Sequence, residues 1–190
     1  MFRLALCMLF LNLAPSLEAA TVQRFDLEAL ATNAERVFVG RCQRTSAELI
    51  DGNISTRYLF TVYDVLKGAT DTHVELVLPG GKYQGMLSRI SGMPTFVPGE
   101  EVILFLSEEN QLGSAWPIGL GQGKFRIERT VAKPARVFQE LEGLSFYPAG
   151  AAKRSPSQPS LQGLELKAFL AKLRPLIGAP SERKARDDVR

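Results

Sequence analysis

Val102-Ile103-Leu104-Phe105-Leu106 is an unbroken apolar run, with no polar side chain to mark an outer face. Successive side chains of a strand point to opposite sides, so a strand apolar at every position predicts cover on both faces. The flanking segments read differently. In His73-Val74-Glu75-Leu76-Val77-Leu78, the residues Val74, Leu76 and Leu78 share a face. In Lys124-Phe125-Arg126-Ile127-Glu128, Phe125 and Ile127 do, which leaves Lys124, Arg126 and Glu128 on the other side. These are the patterns of half-exposed strands around a central one. Further β-type segments are expected over 37–44 and 56–66, with the central run extended to 101–106, a fifth strand over 123–128, and a weaker sixth over 135–138. Turn residues separate them at Asp51-Gly52-Asn53, Lys67-Gly68, Pro79-Gly80-Gly81 and Pro98-Gly99-Glu100. Strands without long intervening helices predict a small barrel or a sandwich.

Two helices complete the pattern. Asp26 is a capping residue ahead of Leu27, Leu30, Ala31 and Ala34, which fall on one helical stripe. Near the other end, Leu164, Leu166, Phe169, Leu170, Leu173 and Leu176 form an apolar face over 161–178 that must dock on the strands, and Pro175 is expected to bend or end that helix. The domain organisation expected is a signal peptide over 1–19, a β domain over 20–148, a Pro/Ser/Ala-rich linker over 149–160, the C-terminal helix over 161–178 and a charged, disordered tail over 179–190. The signal rests on Met1-Phe2-Arg3, then an apolar stretch from Leu4 to Ala14 and Leu17-Glu18-Ala19 as cleavage site. That stretch is too short to span a bilayer, which needs about 20 residues. The protein is therefore expected to be exported, periplasmic or secreted, with no integral membrane segment after cleavage.

Composition removes several functions. Hydrophobic residues make up 45% and charged residues 23%, enough apolar mass for a core. One His and two Cys cannot assemble a His-rich or Cys/His zinc site, so neither metal nor cofactor is expected. Signal removal leaves Cys42 as the sole cysteine, excluding an intramolecular disulfide and leaving only pairing between chains. The positive charge belongs to the tail: residues 20–152 carry a net −2 and residues 153–190 a net +5. The tail has no aromatic except Phe169, so nucleic acid is not the expected partner.

No catalytic constellation stands out. His73 beside Asp71 and Thr72 lacks a nucleophile elbow and reads as a surface histidine. Gly119-Leu120-Gly121-Gln122-Gly123-Lys124 lacks the ending of a phosphate loop and precedes a strand, so its glycines are expected to bend that strand. Asn53-Ile54-Ser55 matches a glycosylation acceptor, but a turn already explains the Asn. Glu100-Glu101 and Glu108-Glu109 flank the apolar run as solvated strand ends. Trp116 belongs either to the core or to a binding face.

Three segments together carry a resemblance. They are Ala34-Glu35-Arg36-Val37-Phe38-Val39-Gly40-Arg41, then Tyr58 to Gly68 ending in Val65-Leu66-Lys67-Gly68, then Phe96-Val97-Pro98-Gly99-Glu100-Glu101 leading into the apolar run. With the Pro-Gly-Gly turn between the last two, this order resembles a group of uncharacterised exported bacterial proteins whose genes often lie beside those of matrixin-like metalloproteases. The first two segments also resemble strands of tissue inhibitors of metalloproteinases. The resemblance implies a mainly β, OB-like (netrin-like) barrel of five to six strands, with the short N-terminal helix and the docked C-terminal helix added. It also implies an extracytoplasmic metalloprotease as a class of partner. Those inhibitors use a mature N-terminal Cys on the protease zinc and disulfides in the barrel; this chain would begin at Ala20 or Thr21, so no inhibitory residue carries over.

The function expected is a secreted, non-enzymatic binding module. The alternatives are a structural envelope protein without a saturable partner and a hydrolase using His73. The long connection over 79–98 holds more apolar side chains than an idle loop exposes. If it docks a partner, Tyr83, Met86 and Phe96 are the expected anchors, because aromatic and Met side chains are enriched at interface cores.

Overall fold

The computed structural model describes residues 20–110, 113–146 and 161–178. The expected signal peptide, linker and charged tail lie outside these residues. The chain opens with β1 (Ala20–Val22) and α1 (Leu27–Asn33), then two long strands, β2 (Arg36–Ile50) and β3 (Asn53–Lys67), and β4 (His73–Pro79). A hairpin of β5 (Gly81–Tyr83) and β6 (Met86–Ser88) follows, then β7 (Glu101–Leu106), β8 (Lys124–Thr130), β9 (Lys133–Gln139) and β10 (Leu144–Phe146). After the undescribed stretch, β11 (Leu164–Glu165) leads into α2 (Leu166–Ile177).

Seven of these strands form one antiparallel sheet in the order β11-β9-β8-β7-β2-β3-β4. The strands β2, β3 and β4 follow one another as a meander, and β7 returns by a long connection to lie beside β2, which is Greek-key order. The fold is thus mainly β with two helices, as expected. No closed barrel is found among the described residues, because β4 and β11 remain the two edges of the sheet. Register shifts in the β2–β3 pairing, at Val37/Phe38, Val39/Gly40 and Cys42/Arg44, let these long strands bend.

The apolar run is where the sequence placed it. Every residue of β7 is buried, and its alternate side chains enter two cores. Ile103 and Phe105 join the core that holds Leu30 and Ala31 of α1 with Phe169 and Leu173 of α2. Val102, Leu104 and Leu106 join Phe38, Tyr58, Phe60, Leu76 and Leu78 in the other. The helices therefore cover one face, while β2 to β4 and the connection bearing Phe96 cover the second.

Asp26 caps α1 as predicted, its carboxylate accepting from the Ala29 N–H at 2.7 Å. Helix α2 runs through Pro175 to Ile177: the proline sits in the last turn, where the ring removes a single hydrogen bond, and Gly178 follows. The glycine-rich stretch departs from expectation. Leu120–Gly123 is one 3-10 turn rather than a bent strand, and a Cβ on Gly123 would stand 2.7 Å from the Ile118 backbone. Close backbone packing, not strand curvature, demands glycine there.

Candidate interaction surface

The connection over 79–98 is not a loop throughout. It folds into the β5–β6 hairpin, with Gly81 opposite Ser88, Lys82 opposite Leu87 and Tyr83 opposite Met86. Gln84 and Gly85 make the turn with φ of 46° and 82°, the two positive values that a two-residue type I′ hairpin requires. The base of the hairpin is fixed to the far end of the β2–β3 pair. There the Gly80 N–H donates to the Ile54 carbonyl at 2.8 Å, and the Thr56 hydroxyl donates to the Gly80 carbonyl at 2.7 Å. Gly81 lies so close to Thr56 that a Cβ would sit 2.1 Å from its hydroxyl.

Beyond this base the hairpin exposes Lys82, its turn and the first two residues of β6. Met86 is 51% and Leu87 67% exposed, and Ile90, Leu49 and Ile50 are also exposed large apolar residues. Leu49 and Ile50 stand where β2 turns into β3, at the end of the pair to which the hairpin is tied. Tyr83 is half-buried, its hydroxyl accepting from the Gln84 amide at 3.3 Å. Lys82 and Arg89 lie beside the apolar residues of the hairpin; both are exposed, and neither side chain has an ion pair or hydrogen bond among the described residues. No Asp or Glu occurs between Glu75 and Glu100.

Of the three expected anchors, the structure brings two together and removes the third. Tyr83 and Met86 are cross-strand neighbours. Phe96 is only 4% exposed, edge-on to Tyr58 and Phe60 at centroid distances of 4.9 and 5.0 Å, and so belongs to the core and cannot meet a partner. Its aromatic character had two readings, core or anchor, and only the return of the connection over β3 distinguishes them. Leu87, Lys82 and Arg89 are the surface residues that sequence reasoning did not select. The Gln-Gly pair between Lys82-Tyr83 and Met86-Leu87 was the available turn signal.

A second cluster of charged residues is buried rather than solvated. Lys124, assigned by alternation to the open face of β8, is 2% exposed. Its ammonium donates to the Thr95 carbonyl at 2.6 Å, meets the Glu100 carboxylate at 2.8 Å and the Glu140 carboxylate at 3.5 Å, and lies 4.6 Å from the Phe96 ring centroid. Three acceptors for three N–H donors satisfy the ammonium without water. Glu101 is likewise buried, gripped by Arg129 through two hydrogen bonds of 2.7 Å, with Arg41 at 4.0 Å. The Arg129 hydrogen bonds hold its carboxyl below the usual range against the opposing effect of burial. The two carboxylates are thus buried and paired rather than solvated strand ends, Glu100 with buried Lys124 and Glu101 with the largely exposed Arg129 guanidinium, both on β8.

Burial, then the neighbouring Glu100 charge, push the Cys42 thiol up. Burial also pushes the Tyr58 phenol up. His73 is exposed at the start of β4, its Nδ1 3.2 Å from the Thr72 hydroxyl. Trp116 is partly exposed on the connection after β7, outside both cores. Among the described residues there is no group of three His, Cys, Asp or Glu side chains placed to hold a metal, and no helix is long and apolar enough to cross a membrane. Compared with known proteins, the chain matches no family model, no curated protein and no solved structure.

Proposed function

We propose that the protein is an exported, non-enzymatic binding module that docks an extracytoplasmic protein through the β5–β6 hairpin. The observation that carries this reading is the exposure of Met86 and Leu87 on a hairpin that is tied at its base to the β2–β3 pair but is not a strand of the main sheet. Apolar side chains so presented gain about 1.5–3 kcal/mol each when a partner buries them fully, enough for a small hot spot. The rigid turn and fixed base limit the ordering cost of association. Tyr83 and Met86 remain the anchors from the sequence, joined by Leu87 in place of Phe96.

The partner class, a matrixin-like metalloprotease, comes from the sequence resemblance. The OB-like, netrin-like barrel belongs to the same reading. Its support in the fold is the Greek-key order of β7, β2, β3 and β4 with β8 added beside β7, since an OB-fold is a partly open Greek-key barrel.

The test is affinity capture from an envelope extract of the native host. Wild-type protein is compared with Met86→Ala/Leu87→Ala, its fold checked by circular dichroism. A protein retained by wild type and lost by the variant is the expected result. An identical set of bound proteins, or none, defeats the hairpin as the docking element.

A further inference from the structure

Resting on that docking reading, we propose that the surface receiving the β5–β6 hairpin is an apolar cleft on a protein, bordered by carboxylates. The inference comes from the charge beside the apolar residues of the hairpin. Lys82 stands across from Leu87 on one face of the hairpin, Met86 stands across from Tyr83 on the other, and Arg89 follows directly after β6; Lys82 and Arg89 are both exposed. Neither is spent on an internal ion pair among the described residues, whereas nearby Arg57 is held by both Glu48 and Glu75. With no acidic residue between Glu75 and Glu100, nothing on the hairpin itself neutralises the two cations. Apolar side chains on both faces of a hairpin, with unpaired cations beside them, are complementary to an apolar cleft whose walls close on both faces and whose rim carries the opposite charge.

An anionic lipid surface is the competing occupant, and the distribution of charge argues against it. A membrane is an extended plane, so the whole face beside the hairpin would approach it. The adjacent β2–β3 tip carries exposed Asp51. A cleft engages the two cations locally and leaves Asp51 outside. Leu87 lies directly across the hairpin from Lys82, so an apolar contact and an ionic one are made from the same rung.

The protein recovered by the capture experiment, purified, is the probe. Its affinity for the full chain is measured at about 50 mM and about 500 mM NaCl, a span over which rim charges become screened. The variants are Lys82→Glu/Arg89→Glu and, as a control, Lys133→Glu, an exposed cation on β9. Sedimentation with phosphatidylcholine vesicles containing about one quarter phosphatidylglycerol is measured alongside. The expected result is roughly a tenfold or greater loss of affinity for the double reversal, a similar weakening of wild type in high salt, no change for Lys133→Glu, and no sedimentation. Binding that needs Met86 and Leu87 but ignores both charge reversal and salt overturns the acidic rim and leaves the docking reading intact. Vesicle binding abolished by the reversal replaces the cleft with a lipid surface. Failure to recover any protein dependent on Met86 and Leu87 ends the docking reading, and this inference with it.

Discussion

Lys124 shows how one residue can bind a connection to a sheet. Its ammonium takes a carbonyl from Thr95 and a carboxylate from Glu100, the two ends of the segment that carries Phe96 into the core. Replacing it by Met leaves Glu100 buried without a cation, and loss of one partner of a buried pair costs about 3–5 kcal/mol. Urea unfolding of Lys124→Met should show that drop, and adding Glu100→Gln should recover much of it; a midpoint equal to wild type would mean that the pair contributes nothing. Glu101 governs the acid response. Its folded carboxyl is held below the ordinary value by Arg129, so its stabilising contribution is present above the unfolded pKa, about 4.3. The contribution is lost as pH falls through the lower, folded value. The stability gap between wild type and Glu101→Gln should therefore be largest near neutrality and shrink between about pH 5 and about pH 2, measured by thermal melts. A gap that widens in acid would reverse the assignment.

At the scale of elements, one motif behind the resemblance joins a strand to a helix. In Val65-Leu66-Lys67-Gly68, the Lys67 ammonium donates to the Ala31 and Ala34 carbonyls at 2.8 and 2.6 Å, closing the C-terminal end of α1 onto the end of β3. Cationic groups at that end also meet the negative pole of the helix. Gly68, with φ of 71°, brings its Cα so close to the Glu35 carbonyl that a Cβ would lie 2.4 Å away. Such residues are legible as a pattern, but what they do is hold the first core together. Helix α2 contributes to that core through Phe169, whose ring centroid lies 4.8 Å from that of Phe125. Phe169→Ala should cost about 3–5 kcal/mol, as large-to-small changes at fully buried aromatics do. Leu176, on the same helix but 37% exposed, should cost less than about 1 kcal/mol when changed to Ala. Equal effects in chemical denaturation would show that α2 docks by another face.

For the whole molecule, the shared strand β7 couples the two cores, since alternate side chains of the same backbone enter each. Cys42 is a reporter for the second core, being fully buried with its thiol pushed up by burial. Native protein should resist thiol reagents. If the cores open as one unit, Phe169→Ala in the first core should speed Cys42 labelling by roughly a hundredfold or more, the equivalent of its stability loss. An unchanged rate would separate the cores. Much of this architecture follows from the sequence alone. The central strand, the alternating strands beside it and both helices were legible because periodicity records which faces are covered, and coverage is set by side chains only a few residues apart. The tertiary structure alone decided that Phe96 is core and not anchor, that Lys124 and the Glu100-Glu101 pair are internal, and that Met86 and Leu87 stand out from the surface. The physical reason is the same in each case. A cation or an aromatic ring is stable inside or outside according to the partners it finds, and those of Lys124 and Phe96 come from segments tens of residues away, where no local pattern reaches.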